Sequence, residues 1–248
     1  MILLLLLLSG LGYADNLPAQ NAVVIVPVAD VWSRPLAPGE KPSDELRETQ
    51  VLAGERVIIH ESSGSWVLIE AVEQPTFRQH NKWEGYPGWV PSINLRQTTI
   101  KDKVRETVGE FLPKADLVRI TEARIGIPYL WGGLSNKGFD CSGLIHLVYR
   151  MDSKVIPRDS HEQWMKAKPI KRADLSPADL IFSAKAANPK TITHVALYAG
   201  DGQIIEAPQT GMVVRKVSFK EKYGKPMEEV ESGDKVGERV IYFGTFLH

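Results

Sequence analysis

Short apolar runs separated by turn residues fill the first part of this 248-residue sequence, from about residue 23 to residue 95. The runs include VVIVPVADVW, QVLAGERVIIH, WVLIEAV and GYPGWVPSINL, with glycine, proline or polar residues between and within them. Apolar runs of about five residues bounded by such residues are typical of β-strands rather than helices. The pattern therefore predicts an all-β domain, a small barrel, over residues 20–97.

A different pattern follows a charged segment, which we predict to be a linker over residues 98–113. Apolar residues recur at helical spacing in 115–124 and again after Cys141. Segments typical of strands come next, at 180–183, 193–199, 203–207 and 212–217. Helices followed by a sheet predict an α+β domain over residues 114–248.

The charges of the chain balance, with 30 basic and 30 acidic residues, and 43% of the residues are hydrophobic. This is the composition of an ordinary globular protein. A chain without net charge has no general attraction for nucleic acid or for an anionic membrane surface. We therefore expect neither as a partner.

An unbroken apolar run from Ile2 to Leu8 opens the chain, and Gly12 and Ala14 have the spacing of a signal-peptide cleavage site. This pattern predicts a signal peptide over residues 1–14 and export to the periplasm or cell envelope. The run is shorter than the ~20 residues that a spanning helix needs, so we expect no stable membrane span. A buried N-terminal strand or helix is the alternative.

Cys141 is the only cysteine, so no disulfide can form within the chain. A lone thiol is either a catalytic group or a buried inert one. Asp140 before it is a good helix N-cap, and Ser142 and Gly143 leave the first turn open to a substrate carbonyl. A helix N-terminus lowers the pKa of a thiol, so the pattern predicts that Cys141 is a nucleophile of the papain-like kind.

A thiol nucleophile needs a base, and His194 is the strongest candidate because it begins a predicted strand, HVALYAG. His146 lies five residues beyond Cys141 on the same helix, which turns it away from the thiol. His161 lies in a polar loop. The remaining histidines are expected at the surface: His60, His80 and His248.

Glu206 is the candidate for a third group that orients the imidazole. If residues 200–202 form a turn, Ala199 pairs with Gln203, and Glu206 lies opposite Ala196 and diagonal to His194. Diagonal neighbours are ~7 Å apart at the backbone, within reach of a glutamate. The alternative is that Glu206 is a solvated strand residue.

Four motifs, PYLWGG, FDCSGLIHLVYR, LSPADLIF and HVALYAGDGQIIEA, resemble the NlpC-type cell-wall peptidases in order and spacing over residues 114–217. The resemblance implies a papain-like fold and a cysteine endopeptidase that cuts peptidoglycan stem peptides or muropeptides through a thioester. The bond it implies is the one between D-glutamate and the diamino acid. It assigns Cys141 as nucleophile and His194 as base, and it puts Glu206 at a position that is often histidine.

The resemblance also implies substrate contacts. Asp140 and Ser142 flank the nucleophile, and RDSHEQ resembles the substrate loop of the family, which adds Arg158, Asp159 and Ser160. Helix capping by Asp159 or Ser160 is an equally open interpretation of that loop.

The β-domain resembles the bacterial SH3-like module of these enzymes, with the signature GYPGWVP. The resemblance implies that Tyr86 contacts the N-terminal end of the stem peptide, with Glu48 or Glu55 meeting its free amine. The alternative places Tyr86 in the barrel core, where we expect Trp89.

Two other functions remain open at this point: a wall-binding protein with weak or no catalysis, and a papain-like acyltransferase or lipase. No HxxEH or paired-histidine spacing occurs, so we expect no metal and no other cofactor. The sequence does not indicate the oligomeric state.

Overall fold

The structure, a computed structural model, describes residues 15–77, 81–99 and 112–247. The predicted signal peptide, His80, most of the predicted linker and His248 lie outside the described residues. The predicted domain boundaries stay predictions.

The N-terminal region forms one antiparallel sheet of seven strands in the order β3-β2-β6-β5-β4-β1-β7. The strands are β1 (Asp15–Val24), β2 (Val28–Trp32), β3 (Arg47–Leu52), β4 (Arg56–Ser63), β5 (Trp66–Thr76), β6 (Glu84–Pro91) and β7 (Leu95–Gln97). Alternate residues of β5 are buried, so one face of the sheet points inward. The buried cluster draws only on this sheet, which must therefore curl around its own core. Trp89 is half-buried and lies opposite Trp32.

The C-terminal region is an α+β domain, as predicted. Its helices are α1 (Lys114–Glu122), α2 (Cys141–Met151), α3 (Ser160–Lys166) and α4 (Phe219–Tyr223). Its strands are β8 (Leu134–Ser135), β9 (Gly138–Phe139), β10 (Lys168–Pro169), β11 (Leu180–Lys185), β12 (Asn188–Gly200), β13 (Gln203–Glu206), β14 (Arg215–Ser218), β15 (Lys235–Val236) and β16 (Arg239–Thr245). The main sheet has the order β10-β16-β11-β12-β13-β14, with β15 on β16, and β8 pairs with β9.

The main sheet is buried on both faces. In β11, Leu180 and Phe182 belong to the core that it shares with α1 and α2, while Ile181 between them belongs to a second core with Phe219 of α4. This alternation follows from the two-residue period of a strand. The sheet therefore holds α2 and α4 on opposite sides of the strands that carry His194 and Glu206.

Polar contacts join the two regions. Arg150 of α2 forms ion pairs with two buried carboxylates of the β-domain, Glu55 and Glu73. Thr76 Oγ1 donates to Glu162 Oε1 of α3 at 3.0 Å. These contacts place the β-domain beside the C-terminal end of α2 and the N-terminal end of α3. Among the described residues, no helix combines the length and the apolar character needed to cross a membrane.

Candidate active site

A cavity of about 520 Å³ lies between the two regions. It brings together most of the predicted site residues: Tyr86, Asp140, Cys141, Ser142, Asp159 and Ser160. The residues that line it do not include Arg158, His194 or Glu206. Thr193, next to His194, does line it, so strand β12, which carries His194, borders the cavity.

Cys141 is the first residue of α2, and Asp140 is the N-cap. The Asp140 carboxylate accepts a hydrogen bond from Gly143 N at 2.6 Å, which satisfies one free amide of the first turn. A β-carbon at Gly143 would lie 2.1 Å from the carbonyl oxygen of Gly133. Glycine is therefore required here for close packing of the loop before α2, a reason different from the open first turn that the sequence suggested.

The thiol of Cys141 is protonated in this arrangement. Burial, followed by the negative charge of Asp140, raises its pKa to about 12. The amides of Val195 and Ser142 favour the thiolate but do not outweigh these effects. The expected lowering by the helix N-terminus is thus outweighed by burial of the thiol and, after it, by the charge of the Asp140 carboxylate. A base must remove the proton before attack.

His194 lies on β12 and is buried, with Nε2 at 2.7 Å from Glu206 Oε2. An ionised carboxylate only accepts, so Nε2 carries the proton and Nδ1 keeps a lone pair. Burial lowers the pKa of the imidazole, the positive charges of Lys222 and Arg239 lower it further, and the bond to Glu206 opposes them. His194 is therefore a neutral imidazole whose Nδ1 can accept a proton.

The strand register explains why Glu206 meets His194. Tyr198 pairs with Ile204, the register that the predicted turn requires, and Glu206 therefore comes opposite Ala196. The turn itself differs, since Gly200 rather than Ala199 pairs with Gln203. One extra residue, a bulge, sits between the turn and the regular ladder.

Glu206 is fully buried, which excludes a solvated strand residue. Its Oε1 accepts from Arg215 Nε at 3.1 Å and Nη2 at 2.9 Å, and its Oε2 accepts from Lys222 Nζ. Burial alone would raise its pKa, but the hydrogen bond from His194 and the charge and hydrogen bond of Lys222 hold it at about 2. Sequence reasoning missed both cations.

Arg158 is fully buried behind Asp140. Its Nη2 donates to Asp140 Oδ2 at 2.7 Å, and its Nη1 donates to Ser142 Oγ at 3.1 Å. Its Nε donates to Thr49 Oγ1 of β3 at 2.8 Å. Arg158 thus fixes the residues that flank the thiol and ties them to the β-domain, and its predicted contact with substrate stays a prediction.

Glu48, Tyr86 and Asp159 form what we call the acidic end of the cavity. The Tyr86 hydroxyl donates to Asp159 Oδ2 at 3.1 Å and lies 3.4 Å from Glu48 Oε2. The Tyr86 ring belongs to the barrel core, while the residue also lines the cavity; its contact with substrate stays a prediction. Asp159 stands at the N-cap of α3 without a capping side-chain bond. Glu55 lies outside the cavity, paired with Arg150, so the suggestion that it meets an amine is wrong.

Other side chains complete the surroundings. Tyr129, from the motif PYLWGG, lines the cavity, and burial followed by the charges of Cys141 and Asp140 raises the pKa of its phenol. His161 lines the cavity, and its Nδ1 accepts from Ile192 N at 3.2 Å. His146 is a core residue whose Nδ1 bonds to the Ile156 carbonyl.

Within the described ranges, no group of three or more His, Cys, Asp or Glu side chains could hold a metal ion.

A thiol at the start of a helix, an imidazole on a neighbouring strand and a buried carboxylate that holds the imidazole form the arrangement used by papain-like cysteine hydrolases.

Comparisons with known proteins agree with that class. Residues 126–230 match the NlpC/P60 family. The gamma-D-glutamyl-L-lysine dipeptidyl-peptidase of Bacillus cereus (strain ATCC 10987 / NRS 248) is 30% identical, over 65% of this chain and 67% of that protein. The enzyme of the same name from Bacillus subtilis (strain 168) is 28% identical, over 72% of this chain and 78% of that protein. The chain belongs to the NlpC/P60 family.

A solved structure extends the likeness to the whole fold. An NlpC/P60 family protein from Bacillus cereus ATCC 10987 matches with a TM-score of 0.73 over 92% of this chain and 100% of that chain, at 22% identity. Both the β-domain and the α+β domain are therefore shared.

Proposed function

We propose that this protein is a cysteine endopeptidase that hydrolyses peptidoglycan stem peptides at the bond between D-glutamate and the diamino acid. We propose further that it acts on stem peptides with a free N-terminus. The observation that carries the proposal is one cavity lined both by the Cys141 thiol and, at its acidic end, by the carboxylates of Glu48 and Asp159. The names of the two Bacillus relatives support the same bond.

In this reaction Nδ1 of His194 takes the thiol proton of Cys141, and the thiolate adds to the D-glutamyl carbonyl carbon. Backbone amides at the start of α2 stabilise the oxyanion that forms. The oxyanion collapses to a thioester as the imidazolium gives its proton to the leaving amine. Water, deprotonated by His194, then hydrolyses the thioester and restores the thiol. Glu206 holds the imidazole throughout.

The acidic end explains a preference for a free amine. Asp159 and Glu48 share the Tyr86 hydroxyl and both line the cavity. An ammonium group at the N-terminal L-alanine of the substrate can donate to both carboxylates. A neutral amide at that position, as in a peptide joined to its muramyl sugar, loses charge-assisted hydrogen bonds worth roughly 1.5–3 kcal/mol. The substrate is then a released peptide rather than intact wall, handled in the periplasm or envelope.

The test compares kcat/KM for L-Ala-γ-D-Glu-L-Lys, for its diaminopimelate analogue and for both peptides with N-acetylated alanine. The wild type should prefer the free amine by roughly tenfold to hundredfold, the range that such a bond gives. Asp159→Asn and Glu48→Gln should each reduce this ratio. Glu45→Gln, which removes an exposed carboxylate outside the cavity, is the matched control and should keep the ratio.

Equal rates on free and acetylated peptides would defeat the amine preference and leave the bond specificity standing. Cleavage at another bond, identified by mass spectrometry of the products, would defeat the bond assignment. Binding without any cleavage would favour the wall-binding alternative.

A further inference from the structure

Glu206 lies between two cations and one neutral base. Both bonds from Arg215 reach Oε1, at 3.1 and 2.9 Å, while Lys222 and His194 share Oε2. The carboxylate is fully buried, and the Lys222 side chain is only 18% exposed. Arg215 pairs with Glu206 across β13 and β14, and Lys222 comes from α4. Three separate elements thus supply the partners of one carboxylate.

We infer that Arg215 and Lys222 are positioning residues that fix the Glu206 carboxylate against His194 and offset its negative charge, so that His194 stays a neutral base. The inference rests on the proposed function, because His194 is the base of that reaction.

The two cations have different tasks. Two nitrogens of one guanidinium on the same oxygen restrict rotation of the carboxylate, so Oε2 stays directed at Nε2. Lys222 supplies a full positive charge to the oxygen that the imidazole uses. The hydrogen bond from His194 and the charge of Lys222 keep Glu206 ionised, and Arg215 places a second positive charge on Oε1. A buried carboxylate without cationic partners is costly and takes up a proton.

Charge balance gives the reason for the second cation. A lone carboxylate beside an imidazole stabilises the imidazolium and raises the pH at which the base becomes available. Lys222 acts against that effect. Among the described residues, Arg239 of β16 also acts on His194, Cys141 of α2 interacts with the amide of Val195 next to it, and Tyr223 of α4 interacts with Glu206. Arg239 donates to Thr193 Oγ1 at 2.9 Å, whereas Lys222 is the cation placed on Oε2 of Glu206.

The first experiment measures kcat/KM against pH for wild type, Lys222→Met and Lys220→Met. Removing the Lys222 charge should move the acid limb upward by roughly one pH unit, because the imidazole then keeps its proton to higher pH. Lys220 lies on the same helix but is exposed, so the acid limb of kcat/KM for Lys220→Met should lie at the same pH as for wild type. If the acid limb of Lys222→Met stayed at the wild-type pH, the inference would be overturned, even if kcat/KM of this variant were lower at every pH.

The second experiment needs no turnover. The His194 imidazole is titrated by NMR on ¹⁵N-histidine-labelled protein in the Cys141→Ala background, with and without Lys222→Met. The inference requires a higher His194 pKa when Lys222 is replaced, and an equal pKa would contradict it. If that rise occurred while the wild type cleaved no stem peptide, the proposed function would fail and the positioning role would stand.

A compensation test covers the case in which single variants fold poorly. Glu206→His puts an imidazole against Arg215 and Lys222, so it should be strongly impaired, although histidine is common at this position in the family that the sequence resembles. Adding Lys222→Met removes one uncompensated cation and should recover kcat/KM at least about fivefold, within the usual range of coupling between contacting residues. Additive losses in the double variant would speak against charge balance at this position.

Discussion

Two buried charge clusters in this molecule have opposite compositions. The interface cluster places two carboxylates, Glu55 and Glu73, on the single cation Arg150. The cluster beside His194 places two cations, Arg215 and Lys222, on the single carboxylate Glu206. Burial raises the pKa of Glu55, with repulsion from Glu73 adding to it and Arg150 opposing it. The pKa of Glu206 is instead held at about 2.

The difference shows that burial does not decide the charge of a glutamate by itself. Both carboxylates are nearly inaccessible to water, so desolvation favours the protonated form of each. The partners in contact then decide: His194 and Lys222 hold Glu206 ionised, whereas Arg150 alone does not offset burial and the charge of Glu73 at Glu55. An interface tolerates a carboxylate that takes up a proton, because either form can hold two domains together. A group that orients a catalytic base must keep one charge over the working pH range.

The largest expected effect separates catalysis from stability. Cys141→Ala should lower kcat/KM on a free stem peptide by at least ~10³-fold, because only binding and oxyanion stabilisation remain. His194→Ala should do the same. The melting temperature of Cys141→Ala should stay close to that of wild type, since the thiol is not part of either charge cluster. Near-normal turnover by Cys141→Ala would remove this residue as nucleophile, and near-normal turnover by His194→Ala would move the base to His161.

The interface cluster should behave in the reverse way. Arg150→Met leaves two buried carboxylates without their shared cation and should lower the free energy of unfolding by about 3 kcal/mol. Chemical denaturation measures this loss, and kcat at low temperature should change little. Arg119→Met removes an exposed arginine that pairs with Asp116, and as a control it should cost less than about 1 kcal/mol. Equal stability of the two variants would mean that the interface pairs contribute nothing.

Glu206→Gln removes the anion that both cations and the imidazole share. The amide can accept only at one oxygen, so the imidazole loses its fixed orientation, and kcat should fall on the order of 10²-fold with KM little changed. Glu238→Gln, an exposed change on the same domain, is the control. A rise in KM with unchanged kcat would assign Glu206 to substrate binding instead.

Much of the fold could be predicted because local signals agree with it. Glycine and proline spacing gave the β-domain, and the helical period after Asp140 gave α2 with its N-cap. The turn at residues 200–202 fixed the register that brings Glu206 towards His194. These are short-range features, which a sequence expresses directly.

The parts that escaped prediction depend on long-range placement. Arg215 meets Glu206 after an eight-residue connection, 207–214, whose length does not set a register. Lys222 follows Ser218, which caps α4 through Glu221 N at 3.0 Å, and this start signal indicates a helix but not its neighbour. Whether Glu48 or Glu55 faces the cavity depends on how the curled sheet docks on α2.

The smallest effect is also the most direct test of the comparison, since it uses one substitution, glutamate to glutamine, in each cluster. The folded pKa of Glu55 lies above the ordinary value of 4.5, so the folded state binds its proton more tightly than the unfolded state does. As the pH falls from 8 towards 4.5, wild type should therefore gain stability relative to Glu55→Gln.

The folded pKa of Glu206, about 2, lies below 4.5, so the stability that the ionised Glu206 contributes is fully present above pH 4.5. Wild type should lose stability relative to Glu206→Gln as the pH falls from 4.5 towards 3. Calorimetric unfolding of the three proteins over this range gives both differences. Slopes of the same sign would show that the partners in contact do not set the charge of these two carboxylates.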